Sequence, residues 1–232
     1  MIDLDRDTLV KMIDHTELNP RAGEDEIAGL CRDARRFGFH AVCINGAYTR
    51  FAHEKLLGSG VCVCTVVGFP LGAGTRGAKA FEAREAVADG AAEIDMVIHI
   101  GALRDGKRDA VRDDIRAVVE AGGPALVKVI LETCFLTDGE IVSGCELAVA
   151  AGAAFVKTST GFAASGASAG HVRLMRRTVG PGIGVKASGG IQNLSDAKAM
   201  IAAGASRLGL SASVAIIKEL AIEKQIQSAK QR

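Results

Sequence analysis

Residues 153–162 read AAFVKTSTGF, a short apolar run that ends in lysine and is followed by a turn of Thr, Ser and Gly. A second unit of the same form, GIGVKASGG, occupies residues 182–190. Such runs are typical of buried parallel strands, so Lys157 and Lys186 are predicted to lie at the rim of a pocket. A desolvated lysine beside a second cation has a lowered pKa, and a neutral amine can attack a carbonyl to form a Schiff base.

Strand-like apolar runs recur along the whole chain, and helical patterns lie between them. The eight runs are residues 12–15, 41–44, 62–67, 93–98, 126–131, 155–157, 184–186 and 207–210. One helical stripe is formed by Ile27, Leu30, Cys31 and Ala34, at the period of an α-helix. Residues 137–140, TDGE, have the form of a capping box. They precede a stripe of four apolar residues, Ile141, Cys145, Ala148 and Val149.

Alternating strands and helices imply parallel strands joined by right-handed crossovers, in either an open doubly wound sheet or a closed barrel. Eight units favour the closed (β/α)8 TIM barrel, predicted as a single domain over residues 1–232. In this fold the catalytic residues lie at the C-terminal ends of the strands. Charged residues from five strands would meet there: Asp14, Asp95, Lys128, Lys157 and Lys186.

Two turns of small residues follow the last two predicted strands, at residues 187–190 and 209–213. Turns of this kind expose backbone N–H groups close to helix N-termini, where anions bind. Barrels of this class commonly bind phosphate after strands seven and eight. The sequence therefore predicts a phosphate cradle beside the two lysines.

The bulk composition favours an enzyme that acts on small molecules. Lys and Arg number 28 against 27 Asp and Glu, which gives no electrostatic footprint for nucleic acid or an anionic membrane. No apolar run approaches the ~20 residues of a membrane span, and the first residues lack a signal pattern. The chain is therefore expected to be cytoplasmic.

Cysteine and histidine spacing gives little support for a metal site. The six cysteines include no C-x-x-C pair, and the five histidines show no H-x-x-x-H spacing. Reduced cysteines, no metal ion and no cofactor are therefore predicted. Lys128 alone also has an ordinary explanation, as a rim residue that pairs with a carboxylate.

Taken together, several segments resemble the deoxyribose-phosphate aldolase family, in order over nearly the whole chain. The matching segments are residues 13–16, 41–45, 67–72, 79–83, 93–98, 128–133, 155–162 and 184–191. The lysine segments and residues 93–96, EIDM, are the specific ones. The resemblance implies a class I aldolase on a (β/α)8 barrel. Such an enzyme reversibly splits 2-deoxyribose 5-phosphate into acetaldehyde and glyceraldehyde 3-phosphate.

The same resemblance implies individual roles for residues. Lys157 matches the Schiff-base nucleophile, and Asp95 and Lys186 match its proton-transfer partners. The positions that match substrate contacts are Asp14, Thr16, Leu18, Cys43, Lys128, Thr160, Gly161, Gly189, Gly190, Gly209 and Ser211. Ala212 departs from the family pattern of a second serine, and the lost hydrogen bond is expected to weaken phosphate binding by roughly 1 kcal/mol.

Three alternatives remain open at the level of sequence. A Schiff-base aldolase with a different donor or a non-phosphorylated acceptor would share Lys157. A phosphosugar isomerase or synthase would use the same barrel and phosphate turns without an imine. A non-catalytic phosphate-binding barrel would need no reactive amine. An exposed apolar strip on an outer helix would also be consistent with a homodimer.

Overall fold

In the computed structural model, which describes residues 4–230, eight parallel strands form one closed barrel. The strands are β1 Ile13–Glu17, β2 Ala41–Ile44, β3 Cys62–Val67, β4 Glu93–Val97, β5 Leu126–Ile130, β6 Phe155–Lys157, β7 Gly184–Ser188 and β8 Arg207–Leu210. Each strand pairs with the next in sequence, and β8 returns to β1 through the partners Asp14 and Gly209. The closed barrel predicted from the sequence is thus confirmed, and an open sheet is excluded.

Ten α-helices in the described residues surround the barrel. They are α1 Arg6–Lys11, α2 Glu24–Phe37, α3 Thr49–Leu56, α4 Arg76–Ala88, α5 Ile100–Arg104, α6 Arg108–Gly122, α7 Asp138–Ala150, α8 Ala169–Val179, α9 Leu194–Ala202 and α10 Ser213–Lys230. Over residues 4–230, no helix combines the length and the apolar character that crossing a membrane requires.

The helices pack their apolar stripes on the outer face of the barrel. In α2, the predicted stripe of Ile27, Leu30, Cys31 and Ala34 is buried. The helix ends at Gly38, whose φ of 75° suits glycine and allows the chain to turn into β2. Hydrophobic burial between helices and sheet therefore forms the main core.

Helix α7 begins at the predicted capping box. The Thr137 hydroxyl accepts a hydrogen bond from the Glu140 amide, and the Glu140 carboxylate accepts one from the Thr137 amide at 2.7 Å. Ile141, Cys145 and Ala148 are buried as predicted, but Val149 is 39% exposed. The prediction was wrong at Val149, because a residue one position beyond the stripe has already rotated toward solvent.

Two strands extend further toward the barrel mouth than their apolar residues indicate. The strand β1 includes the polar residues Thr16 and Glu17, and β7 continues to Ser188. These additions place polar side chains at the C-terminal ends of the strands. The barrel thus directs its polar groups toward one opening.

Candidate active site

The interior of the barrel carries charged side chains instead of a purely apolar filling. Strand pairing places Asp95 beside Lys128 and Lys157 beside Lys186. Because side chains alternate between the two faces of a strand, these residues point into the barrel, as does Asp14 on the first strand. All five are almost completely buried. The charged residues predicted to converge from five strands do meet.

Asp95 is the centre of this cluster. Its Oδ1 accepts a hydrogen bond from Lys128 Nζ at 2.7 Å. Its Oδ2 accepts hydrogen bonds from Lys157 Nζ and Lys186 Nζ, each at 2.7 Å. Burial alone would raise the pKa of Asp95, but the three ammonium groups hold that pKa well below its usual value. One carboxylate therefore holds the amines of three strands together.

Glu93 and Arg207 complete the network, and the sequence analysis did not single them out. Arg207 Nη1 donates to Asp14 Oδ1 at 2.8 Å and to Glu93 Oε2 at 3.1 Å. Lys128 Nζ also lies 2.6 Å from Glu93 Oε2. The available signal was strand alternation, since Glu93 precedes Asp95 by two positions and therefore faces the same side.

Lys186 is more firmly held as a cation than its position in a strand suggests. Its Nζ donates to Asp14 Oδ2 as well as to Asp95. Burial alone would lower the pKa of Lys186, but these two carboxylates raise it above its ordinary value. The pKa of Asp14 is lowered in turn: burial opposes this, but Lys186, Lys128 and Arg207 outweigh it.

Lys157 differs from the other cations of the cluster in its number of partners. Over residues 4–230, the interior network joins three carboxylates to four cationic side chains. Lys128, Lys186 and Arg207 each contact at least two carboxylates, whereas Lys157 contacts Asp95 alone. Lys157 is also the cation that lines the open pocket above the cluster. It is therefore the least firmly paired of the four.

The pocket above Lys157 has a volume of about 460 Å³ and lies at the C-terminal mouth. Eight of the predicted substrate residues line it: Thr16, Leu18, Thr160, Gly161, Gly189, Gly190, Gly209 and Ser211. The other three, Asp14, Cys43 and Lys128, are fully buried beneath it. A larger groove of about 680 Å³ lies beside α4, but none of the cluster lysines lines it.

Glycines shape the side of the pocket formed by the turns after β7 and β8. Gly189 and Gly190 have φ values of 83° and 76°, a conformation that side-chain-bearing residues rarely adopt. At Gly209, an added Cβ would lie 3.1 Å from Lys186 Cε, so glycine makes room for the lysine stem. Helix α10 starts shortly after, at Ser213. Backbone N–H groups and a helix N-terminus thus flank this side of the pocket.

The loop after β6 forms the adjoining part of the rim, where Gly161 lies next to Gly189. Thr158 Oγ1 donates to the Ser188 carbonyl and accepts from the Ser188 amide, which ties this loop to the end of β7. Further along, Phe162 packs edge-on against Phe69, with ring centroids 5.2 Å apart. Neither aromatic residue was predicted as part of the site. They narrow the mouth between the β3 and β6 loops.

Cys43, Cys64 and Asp95 lie close enough to share a metal ion. Both oxygens of Asp95, however, are already bonded to lysine amines. Burial raises the pKa of Cys64, which donates to Asp95 Oδ1 at 3.2 Å. The pKa of Cys43 is lowered by its hydrogen bond with Cys64. These contacts favour an ion-pair network in which the thiols are hydrogen-bonding members.

Comparison with known proteins agrees with this geometry. The model of the DeoC/LacD family aldolases matches residues 8–218. A deoxyribose-phosphate aldolase of Lysinibacillus sphaericus is 56% identical over 211 residues, covering 90% of this chain and 95% of the relative. One of Bacillus cytotoxicus is 55% identical over 210 residues, covering 90% and 94%.

A solved structure gives the same result at the level of fold. The tetrameric deoxyribose-phosphate aldolase of Aeropyrum pernix superposes with a TM-score of 0.87 at 34% identity, covering 92% of this chain and 91% of that one. The family match covers most of the chain, including every residue of the lysine cluster. This chain therefore belongs to the DeoC/LacD aldolase family.

Proposed function

We propose that this protein is a class I aldolase, a lyase that reversibly cleaves 2-deoxyribose 5-phosphate into acetaldehyde and glyceraldehyde 3-phosphate. The observation that carries the proposal is Lys157, a pocket-lining amine with a single carboxylate partner in a network whose other cations are held by two or more. Membership of an aldolase family and relatives named deoxyribose-phosphate aldolase support it.

The reaction starts with Lys157 as the nucleophile. With four cations facing three carboxylates, one amine can give up its proton without leaving a carboxylate unpaired, and Lys157 has the fewest partners to lose. Lys186 shares Asp95 Oδ2 with it, so that oxygen keeps a cationic partner when the Lys157 amine reacts. Neutral Lys157 attacks C1 of the open-chain sugar, and loss of water gives a protonated imine.

Asp95 acts as the base for the cleavage step. In the resting site its basicity is suppressed by three ammonium groups. In the protonated imine the Lys157 nitrogen keeps its charge but has one N–H in place of three, so Asp95 loses hydrogen-bond donors and its proton affinity rises. It then takes the proton of the C3 hydroxyl, directly or through water, while the C2–C3 bond breaks. The bond electrons pass to the imine as an enamine, and glyceraldehyde 3-phosphate leaves.

Lys186 completes the cycle as the cationic partner. Held in its charged form by Asp14 and Asp95, it can supply a proton for C2 of the enamine through Asp95 or water. Hydrolysis of the resulting imine then releases acetaldehyde and restores Lys157. The proton taken from the C3 hydroxyl is balanced by the one delivered to C2, and the water lost in imine formation is regained in hydrolysis. Asp14, Lys128 and Cys43 support this set from beneath the pocket.

The phosphate binds on the glycine-rich side of the pocket. Gly189 and Gly190 follow β7, Gly209 and Ser211 belong to the β8 turn, and all four line the cavity. Lys157 is the single lysine or arginine among the described residues that line this pocket, so backbone N–H groups and the N-terminus of α10 must supply most of the attraction for the phosphate. Gly161, in the β6 loop next to Gly189, is placed to add a further contact.

The deciding experiment is borohydride reduction in the presence of acetaldehyde, followed by mass mapping. A two-carbon adduct on Lys157 is expected, since reduction converts the imine into a stable secondary amine. Aldol cleavage without an adduct would eliminate the Schiff-base mechanism. An adduct without cleavage of the phosphorylated sugar would instead indicate an aldolase of different substrate range. Activity should persist in excess EDTA.

We also propose a cytoplasmic homo-oligomer. Ile222 and Ile226 lie one turn apart on α10 and are 56% and 51% exposed, which forms an apolar strip of the expected kind. The relative from Aeropyrum pernix is tetrameric. Light scattering should give a mass above that of one chain, and an Ile222→Glu, Ile226→Glu variant should shift it toward the monomer. Cell fractionation tests the location.

A further inference from the structure

Glu132 is a buried carboxylate that the proposed mechanism does not use. It is the second residue after β5 and is 2% exposed. Its backbone lies in the left-handed region, with φ 55° and ψ 63°, where a residue other than glycine is strained. It is the one non-glycine residue with positive φ in the described part of the chain. Strain of this kind persists where the surrounding contacts require it.

The side-chain hydrogen bonds that the described residues make to Glu132 all come from Thr160, which lines the pocket with Lys157. The Thr160 amide lies 3.3 and 3.2 Å from the two carboxylate oxygens of Glu132. The Thr160 hydroxyl donates to Glu132 Oε2. The loops after β5 and β6 are also joined by a backbone bond from the Thr133 amide to the Thr158 carbonyl at 2.9 Å. Glu132 thus secures the segment immediately after Lys157.

The direction of these hydrogen bonds determines what Thr160 can offer a ligand. An ionised carboxylate can only accept, so the single hydroxyl proton of Thr160 points toward Glu132. One lone pair of Thr160 Oγ1 accepts from the Phe162 amide at 3.0 Å. One lone pair remains, and no proton is left to donate. Toward the pocket, Thr160 is therefore an acceptor, which suits a hydroxyl group of the substrate.

We propose that Glu132 is a positioning residue that makes Thr160 a dedicated acceptor for the C4 hydroxyl of the sugar. This inference rests on the proposed function. Open-chain 2-deoxyribose 5-phosphate has hydroxyls on C3 and C4 only, and Asp95 takes the proton of the C3 hydroxyl. The C4 hydroxyl becomes the 2-hydroxyl of glyceraldehyde 3-phosphate. Glu132 thereby favours hydroxylated acceptors over acceptors that lack this group.

A glutamine at this position would not fix the direction of the Thr160 hydroxyl proton. Its amide can donate as well as accept, so it can reverse the hydroxyl of Thr160 or oppose its backbone N–H. Substitution of Glu132 by Gln keeps the shape but removes the fixed direction. Substitution by Gly removes the carboxylate and relieves the left-handed backbone, so the fold is kept even if the Gln variant is unstable.

The test compares two acceptor aldehydes in aldol addition of acetaldehyde: D-glyceraldehyde 3-phosphate and 3-oxopropyl phosphate, which lacks the hydroxyl. For both Glu132→Gln and Glu132→Gly, the ratio of kcat/KM between them should fall on the order of tenfold, the scale of one lost hydrogen bond. The loss should lie mainly in KM for the hydroxylated acceptor. Thr160→Ser should keep the preference, and Thr160→Val should lose it.

The double variant Glu132→Gln, Thr160→Val should show no larger fall in the kcat/KM ratio than either single variant. Both substitutions remove the same contact with the C4 hydroxyl. Borohydride trapping of acetaldehyde on Lys157 should stay intact in each variant. An unchanged ratio in folded, trapping-competent variants would overturn the inference. So would an equal loss for both acceptors, which would indicate a purely structural role. Absence of trapping in the unsubstituted protein would instead be a failure of the proposed function.

Discussion

Among the four interior cations, Lys157 is distinguished by having a single carboxylate partner and a pocket-facing position. Replacing it by leucine should abolish aldol cleavage and borohydride trapping. It should change the free energy of unfolding by no more than about 1 kcal/mol, since Asp95 keeps two cations and an apolar group replaces a buried charge. Urea unfolding beside the activity assay checks both. Residual cleavage by a purified Lys157→Leu protein would refute the assignment.

Unlike substitution of Lys157, substitution of Asp95 should destabilise the fold, because its carboxylate is the partner of three lysines. Asp95→Asn leaves three ammonium groups without their shared counter-ion, so unfolding should become easier by about 3 to 5 kcal/mol. Cleavage should slow by roughly 10²-fold or more, as expected for loss of an acid–base group. The exposed pair of Asp105 with Lys107 provides the control, and Asp105→Asn should alter neither property. A stable, active Asp95→Asn enzyme would contradict the network described above.

For single residues, the sequence indicated which charged side chains belong to the site but not which side chains they contact. Lys157 and Lys186 could be found because lysine is unexpected at the end of an apolar run. Their different environments depend on which carboxylates lie across the barrel, and Asp14 is separated from Lys186 by 172 positions. Glu132 escaped notice because nothing in its neighbours indicates a left-handed backbone or a contact with Thr160.

At the scale of elements, the β7 turn should determine phosphate affinity. Gly190→Ala places a Cβ at a φ of 76°, which costs roughly 1 kcal/mol and shifts the turn. KM for 2-deoxyribose 5-phosphate should rise, while kcat/KM for unphosphorylated 2-deoxyribose should change little. Gly180 has a similar φ of 67° and open space around it, and it does not line the pocket. Gly180→Ala should therefore lose stability without a change in KM, and equal effects of the two variants would exclude the phosphate role.

The strands and helices were largely predictable, because each element of the barrel buries apolar residues at the period of its own secondary structure. Four of the eight predicted strands have the observed bounds: residues 41–44, 62–67, 155–157 and 207–210. Two of the other four, β4 and β5, end one apolar residue earlier than predicted, and β1 and β7 continue into polar residues. Thr16 and Ser188 continue their strands through pairing and hydrogen bonds that no apolar run reveals. Local pattern thus predicted the elements, whereas tertiary contacts determined where they end.

For the whole molecule, the buried charges predict a broad plateau of stability against pH. The pKa values of Asp14, Glu93 and Asp95 are lowered in the folded state, so their contribution is present above about pH 4 and is lost as pH falls further. Those of Lys128 and Lys186 are raised, so theirs is present below about pH 10 and is lost as pH rises further.

Urea unfolding across this pH range should therefore show an acid limb, where stability falls below about pH 4, and a basic limb, where stability falls above about pH 10. In Asp95→Asn the acid limb should be shallower, because one group with a lowered pKa has been removed. The Asp105→Asn control should retain the acid limb of the unsubstituted protein, since Asp105 is exposed. An acid limb of equal steepness in the Asp95→Asn and unsubstituted proteins would show that this carboxylate does not govern acid stability.

The closure of β8 onto β1 has a consequence for the newly synthesised chain. Asp14 emerges from the ribosome early, yet it bonds to Lys186 and to Arg207, 172 and 193 positions later. Translation of seven strands would thus leave Asp14 without its arginine and the cation network incomplete. We expect a polypeptide stalled before β8 to have no aldolase activity. A separately expressed C-terminal fragment should restore turnover only if it supplies that final strand.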